Sequence, residues 1–275
     1  MRRRAAFVLA GLSALCGASC LPDPAPRATV SITLRGGDRH LVSEDGYTVE
    51  LERRVIVGGV STSTSIAGGS SGGAYVRDLD TAPFELPDIR AKSSRYVVAY
   101  VTSYYDRRER GPGVTDADIA ALSGVDAGEG ARTGVASFVL TGTFAKGGKT
   151  WRFEWHASAY ESVVCGRRTV TVPEAIAFLP DAHVHLDVLT RTERFFVVSG
   201  ATPSEDGSPS EGSPGYAFRI APFVAADADE DGVITWEETN AAGLRLVTTD
   251  PLFEVTLDGE PLVCAVPGAD IPIGF

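Results

Sequence analysis

Apolar and polar positions alternate with a period of two through most of residues 28–200. Val30, Ile32 and Leu34 interleave with Thr29, Ser31 and Thr33, and Tyr47, Val49 and Leu51 with Thr48, Glu50 and Glu52. Successive strand side chains point to opposite faces, so this period marks strands buried on one side. Arg95–Tyr104, Gly134–Phe144, Thr150–Tyr160, Ala182–Leu189 and Arg194–Ser199 are further strand candidates. Turn formers separate them: Asp45-Gly46, Gly58-Gly59, Gly68 to Gly73 and Gly147-Gly148. Short strands at similar spacing with glycine-rich turns predict a mainly β body, 28–200, built as an antiparallel sandwich or barrel, of which the sandwich is the expectation taken here. One helix is predicted over Thr115–Ser123, with Thr115 as N-cap and Asp118 three residues on. Residues 201–215 are rich in Ser, Pro, Gly and Glu, too polar to order themselves, and read as a flexible loop. Beyond it, Phe253–Leu257 and Pro261–Val266 flank Asp258-Gly259, a strong hairpin signal.

Within 216–275 the period breaks at a different pattern. Asp227, Asp229, Asp231, Gly232, Ile234 and Glu238 stand at positions 1, 3, 5, 6, 8 and 12 of a twelve-residue window. That is the spacing of an EF-hand calcium loop, in which alternate residues aim oxygens at one ion. The expected ligands are the carboxylates of Asp227, Asp229 and Asp231, the carbonyl of Val233, Thr235 directly or through water, and a bidentate Glu238. Gly232 suits the sharp turn, and Ile234 should point into protein. The flanking helices are clipped: Pro222 leaves only Phe223–Ala226 before the loop, and Gly243 stops a helix over Trp236–Ala242. No second twelve-residue window matches. A lone hand with short helices has little to open, which predicts a static, structural Ca²⁺ site rather than a sensor.

Arg2, Arg3 and Arg4 precede an apolar run from Ala5 to Leu15, and Gly17, Ala18 and Ser19 lead into Cys20. This reads as an export signal over 1–19. The Gly-Ala-Ser-Cys ending is similar to a bacterial lipoprotein signal, which implies lipidation at Cys20. Pro22, Pro24 and Pro26 would then make 20–27 a stiff tether. By that class's sorting rule Leu21 implies the outer membrane, with the lipid as the membrane attachment. After loss of the signal and lipidation of Cys20, Cys165 and Cys264 remain, and in an oxidising compartment two cysteines are most simply one disulfide. Formal net charge is −11. Removing 1–19 takes away three arginines and no acid, leaving a chain that should repel nucleic acid.

Three other constellations carry competing readings. His183, His185 and Asp187 share one face of a predicted strand, as do Glu154 and His156 of another. Were the two strands neighbours, His156, His183, His185 and Asp187 could converge on Zn²⁺ or Cu²⁺; otherwise they are solvated sheet residues. A faint resemblance to periplasmic copper-binding β proteins rests on the three histidines. Gly69-Ser70-Ser71-Gly72-Gly73 fits G-x-S-x-G, but a hydrolase elbow needs a strand before it and a helix after it, and neither pattern is present. Trp151, Phe153 and Trp155 lie at period two on one face, the mark of core packing rather than of a ligand cleft.

Taken together, the signal with its Cys20, the segment Asp45-Gly46-Tyr47-Thr48-Val49, the strand Phe153-Glu154-Trp155, the His-bearing strand and the single loop near the end resemble a group of uncharacterised bacterial lipoproteins. The resemblance implies export, a β-sandwich body and calcium binding through the loop residues named above. No catalytic constellation emerges, so the expectation is a non-enzymatic cell-envelope protein whose body is a surface or interaction module.

Overall fold

A computed structural model describes residues 27–64, 74–92, 94–102, 110–123, 136–157, 161–169, 172–199, 216–244 and 252–265. The export signal and Cys20, the G-x-S-x-G stretch and the loop 201–215 lie outside these residues.

The fold is mainly β, as the period-two pattern predicts. In chain order the strands are β1 (Ala28–Gly36), β2 (His40–Val42), β3 (Thr48–Ser63), β4 (Tyr75–Asp78), β5 (Phe84–Ala91), β6 (Tyr96–Val101), β7 (Phe138–Lys146), β8 (Lys149–Ala157), β9 (Glu161–Thr169), β10 (Val172–Glu174), β11 (His183–Thr190), β12 (Val197–Ser199), β13 (Tyr216–Phe218), β14 (Val233–Thr235), β15 (Phe253–Leu257), β16 (Glu260–Pro261) and β17 (Val263–Ala265). Helix α1 spans Asp116–Ser123, α2 Ala221–Val224 and α3 Trp236–Ala241. None of the described helices is long and apolar enough to cross a membrane.

A five-stranded sheet runs β16-β15-β11-β1-β5, and a ten-stranded sheet follows the path β10-β9-β6-β3-β7-β8-β14, with β2 and β4 on β3 and β17 on β9. One apolar cluster joins them. The small sheet contributes Val30, Ile32, Leu34, Leu186, Val188 and Val255; the large one Val49, Leu51, Val97, Phe144, Phe153 and Trp155. Each sheet thus gives its apolar alternate positions to one shared interior, the sandwich-like solution to two half-apolar surfaces.

The sheets are mixed rather than purely antiparallel. β1 and β11 run parallel, pairing Val30 with Val184, Ile32 with Leu186 and Leu34 with Val188. Most of the large sheet intervenes between them in the chain, which allows parallel pairing without a crossover helix. β14 also joins β8 in parallel.

Helix α1 begins as expected: Thr115 Oγ1 accepts from the Asp118 amide (3.2 Å) while Asp118 Oδ2 accepts from the Thr115 amide (2.7 Å). Asp118 also receives Arg53, whose guanidinium reaches Asp78 at 2.6 Å. Two expectations change. Residues 194–196 belong to a 3-10 helix (Thr192–Phe196) that turns Phe195 and Phe196 into the core, so only Val197–Ser199 is strand. Pro261–Val266 is not one hairpin arm. Asp258 (φ 49°) and Gly259 (φ 85°) close the tight turn, but β16 ends at Pro261 and β17 crosses to pair with β9 in the other sheet. There Cys264 lies opposite Cys165, and the two form the anticipated disulfide.

Candidate metal centre

The segment carrying the twelve-residue pattern is held at its entrance, middle and exit. At the entrance, Ile220 is the N-cap of α2 and has no side-chain acceptor to offer its free amides. Asp45, in the turn between β2 and β3, supplies one: Oδ2 accepts from the amides of Ala221 (2.7 Å) and Ile220 (3.1 Å). The Ser43 hydroxyl steadies the same carboxylate at 2.5 Å. Burial pushes the Asp45 carboxyl up, but the Ser43 hydroxyl and the Ala221 and Ile220 amides outweigh it and hold the group below the ordinary carboxylate range. Glu44 adds a second grip, its amide donating to Phe218 O at 2.9 Å and its carboxylate accepting from the Phe218 amide at 3.2 Å.

The loop itself turns through two left-handed residues, Glu230 (φ 58°) and Gly232 (φ 81°). Space is not what selects glycine at 232, because a Cβ there would meet nothing within 4 Å. The positive φ is the reason. Each aspartate folds one oxygen back on the chain: Asp227 Oδ2 accepts from the Gly232 amide (3.2 Å), Asp229 Oδ1 from the Asp231 amide (3.2 Å) and Asp231 Oδ1 from the Val233 amide (2.7 Å). Carboxylate oxygens of Asp227, Asp229 and Asp231 all lie within 4.8 Å of one another. Asp227 Oδ1 is buried and has no hydrogen-bond partner among the described residues. A buried acceptor without a partner is costly unless something outside the chain satisfies it.

Glu238 is not gathered into that cluster. Its Oε2 accepts from the amide and hydroxyl of Thr235, both at 2.8 Å, and its Oε1 from the Ala228 amide at 3.1 Å. Thr235 Oγ1 accepts in turn from the Glu238 amide, so the pair forms a reciprocal cap on α3. Those hydrogen bonds from Thr235, with a further one from Ala228, hold the Glu238 carboxyl below its ordinary range against the weaker effect of burial. The carboxylate therefore stays an anion, tied across the loop between residues 228 and 235. Of the expected ligand set, the structure brings three aspartates together and ties Thr235 and Glu238 to each other.

In the middle, β14 lays Val233, Ile234 and Thr235 beside Arg152, Phe153 and Glu154 of β8, and the Arg152 amide donates to Gly232 O at 2.8 Å. Ile234 is fully buried in the common core, as its place in the loop requires. Position 8 of the loop, which in a paired hand meets a second loop, here meets the edge of the large sheet. At either side Phe223 and Trp236 pack on Trp155 with ring centroids 5.2 and 5.8 Å apart, and Trp236 also meets Phe138 at 6.0 Å.

The second metal constellation does not assemble. His156 is on β8 of the large sheet, while His183, His185 and Asp187 are on β11 of the small one. Phe153 and Trp155 of β8 and Leu186 and Val188 of β11 face the shared core, so the alternate, polar residues of the two strands point away from each other. His185 is occupied by Ser31 Oγ (3.0 Å) and Thr33 Oγ1 (3.2 Å), and Asp187 by an ion pair with Arg35. Among the described residues the three aspartates are the one group of this kind with metal-binding spacing. The aromatic ladder is core: Phe153 and Trp155 are fully buried and Trp151 half-buried, against Tyr47 at 6.1 Å.

Neither the period-two pattern nor the twelve-residue spacing marks Asp45 or Ser43 as site residues. A signal was present: Pro222 marks a helix start, but Arg219 and Ile220 before it are not capping residues, so an acceptor has to come from elsewhere. Comparison of the chain with family models, with curated proteins and with solved structures finds no match.

Proposed function

We propose that this chain is a calcium-binding, non-enzymatic lipoprotein of the bacterial outer membrane, in which the ion holds the fold rather than signals and the β body serves as a surface or interaction module. The observation that carries the calcium reading is the buried Oδ1 of Asp227, without a hydrogen-bond partner among the described residues, inside a cluster of three carboxylates at EF-hand spacing. A hard cation with oxygen preference would satisfy that atom and relieve the repulsion among the aspartates. The donor set suits Ca²⁺ better than Zn²⁺ or Cu²⁺, since it holds neither His nor Cys. Completing the shell requires Glu238 to exchange its hydrogen bonds with Thr235 for the ion, which favours the weak affinities of extracellular calcium modules, roughly 10⁻⁴ to 10⁻³ M. The short α2 and α3 support a structural role, because they pack on the core at both sides of the loop and offer no groove to open.

The test is calorimetric titration of Ca²⁺ into wild type, Asp227→Asn and Glu238→Gln. Wild type should bind and both variants should bind at least tenfold more weakly; equal heats from all three would reject the site. Saturation at a hundredfold excess over Kd should stabilise the fold by about 2.7 kcal/mol. The lipid anchor rests on Cys20 and its preceding small residues. Cys20→Ala should move the protein from the detergent phase to the aqueous phase, and unchanged partition would remove the anchor from the reading.

A further inference from the structure

We propose that the end of the sandwich at which β1 begins is a membrane-docking face, with Leu179 as its apolar wedge and Arg27, Arg90, Lys92 and Arg95 as its contacts to anionic lipid headgroups. The inference rests on the lipid-anchor reading above and goes beyond it to the surface that meets the bilayer.

The fold gathers these residues from separate segments. Ala28 pairs with Ala91 where β1 begins, so Arg27 and Lys92 are the next residues beyond that end of the small sheet. The Thr29 amide donates to Ala182 O at 2.8 Å and the Ala182 amide to Leu179 O at 3.2 Å, which brings the turn of Leu179 and Asp181 (φ 58°) to the same end. Arg95 joins from the large sheet. It exchanges backbone bonds of 2.9 and 2.7 Å with Ile176 and directly precedes β6. Leu179 is 71% exposed, one of two large apolar side chains this open among the described residues. The other, Val42 at 72%, is on β2, opposite Thr48 at the far end of β3.

A lone exposed leucine is ordinary. The charge around this one is not. Arg27, Arg90 and Lys92 are exposed and Arg95 is half-buried. Elsewhere in the two sheets Arg35, Arg53, Arg54 and Arg152 are each paired with a carboxylate. Among the described residues none of the four cations at this end is, and Arg90 donates instead to the Thr29 hydroxyl at 2.8 Å. The acids at this end are Asp181 and Glu174, and Glu174 stands across from Arg167 of β9. Charge is also polarised along β3. Ser63 at one end pairs with Tyr96, next to Arg95, while Asp45, just before Thr48 at the other end, grips the segment that leads into the acidic metal loop. An anionic surface attracts the first end and repels the second, so it orients the molecule as well as holding it. The chain itself leads to that surface. Cys20 and Arg27 are seven residues apart, a stretch that spans at most about 25 Å. A lipid on Cys20 thus keeps this end against the bilayer at high effective concentration, where headgroup phosphates meet the cations and the boundary below them takes the leucine.

The experiment attaches a bimane probe at Leu179→Cys or at Val42→Cys of the lipidated chain, its disulfide intact. The protein is reconstituted in phosphatidylcholine vesicles with and without phosphatidylglycerol, and the probe is quenched by spin-labelled lipid. The probe at 179 should be quenched in the phosphatidylglycerol vesicles and the probe at 42 should not. Most of that quenching should be lost at about 1 M salt, where the Debye length falls to about 3 Å. In the 179-labelled protein, Arg90→Glu combined with Arg95→Glu should lose the quenching, whereas Arg90→Lys combined with Arg95→Lys should keep it. Both pairs replace the arginine that bonds Thr29, so their difference reports charge rather than fold. In vesicle-bound protein, equal quenching at 179 and 42, or none at 179, overturns the docking face alone. Unchanged quenching in the glutamate pair does the same, as does loss in the lysine pair. Protein that carries no lipid and stays off the vesicles overturns the anchor reading and this inference with it.

Discussion

Asp45 shows how one side chain far away in the chain sets up the metal loop. Helix α2 has four residues and no cap of its own, so its first amides depend on a carboxylate 175 and 176 positions earlier. Replacing Asp45 with Ala should cost about 1 kcal/mol in thermal or urea unfolding, the usual value of a lost N-cap, and weaken Ca²⁺ binding by releasing the loop entrance. Asp45→Asn keeps an acceptor and should lose less. Asp45 also gives a pH signature, shared with Asp118, whose carboxyl burial pushes up but Arg53 and Thr115 bring below its ordinary 3.8. A carboxyl held lower in the folded state than in the unfolded one contributes stability that is present above the unfolded value and is lost as pH falls through the folded one. Thermal midpoints should therefore be flat from neutral pH to about pH 5 and fall below about pH 4. The acid limb should be shallower in Asp45→Asn; an unchanged limb would show that the Asp45 hydrogen bonds do not persist in solution.

Among the elements, β14 and β17 do work that their length hides. Each has three residues, and each ties a segment near the chain's end to the large sheet. Ile234 of β14 is fully buried, so Ile234→Ala should cost roughly 2 to 5 kcal/mol and lower Ca²⁺ affinity as well, because the same residue anchors the loop. Retained affinity in that variant would uncouple the metal site from the sheet. The strands with strict alternation, such as β1, β8 and β11, were legible in the sequence because a half-buried strand must write its two faces into its residues. The gathering of Asp227, Asp229 and Asp231 was legible for a similar reason, because alternate residues of one tight loop can aim at one point. What β14 pairs with was not, since pairing partners are chosen across the chain and leave no local period. Nor was the departure of β17 from the hairpin: Pro261 and Leu262 read equally well as a strand continuing or leaving. The separation of His156 from His183 and His185 was hidden likewise, because faces can be read from alternation but sheet membership cannot.

At the scale of the whole molecule, the disulfide and the loop divide the task of holding the chain's end to a body whose core is already continuous. Val30 of β1, Trp155 of β8, Ile234 of β14 and Val255 of β15 share one apolar cluster, so both sheets should unfold together. The bond from Cys165 to Cys264 spans 99 residues and fixes β17 against β9. In the chain-entropy model a loop of that order is worth up to about 4.7 kcal/mol, and replacing both cysteines by Ala in native domains typically costs 2 to 5. That bond does not fix β14, which lies inside the disulfide loop and whose position depends on Ile234 and the flanking aromatics. Urea unfolding followed by tryptophan fluorescence and by circular dichroism separates the two contributions, because Trp155 and Trp236 touch at the metal loop while the β signal reports the sheets. With Ca²⁺ bound the two probes should give one coincident transition. In EGTA the fluorescence transition should move to lower urea than the β signal, as β14 leaves a sandwich that the disulfide still closes. Coincident transitions in EGTA would mean that β14 is held by the core alone, and that the ion adds stability without positioning β14.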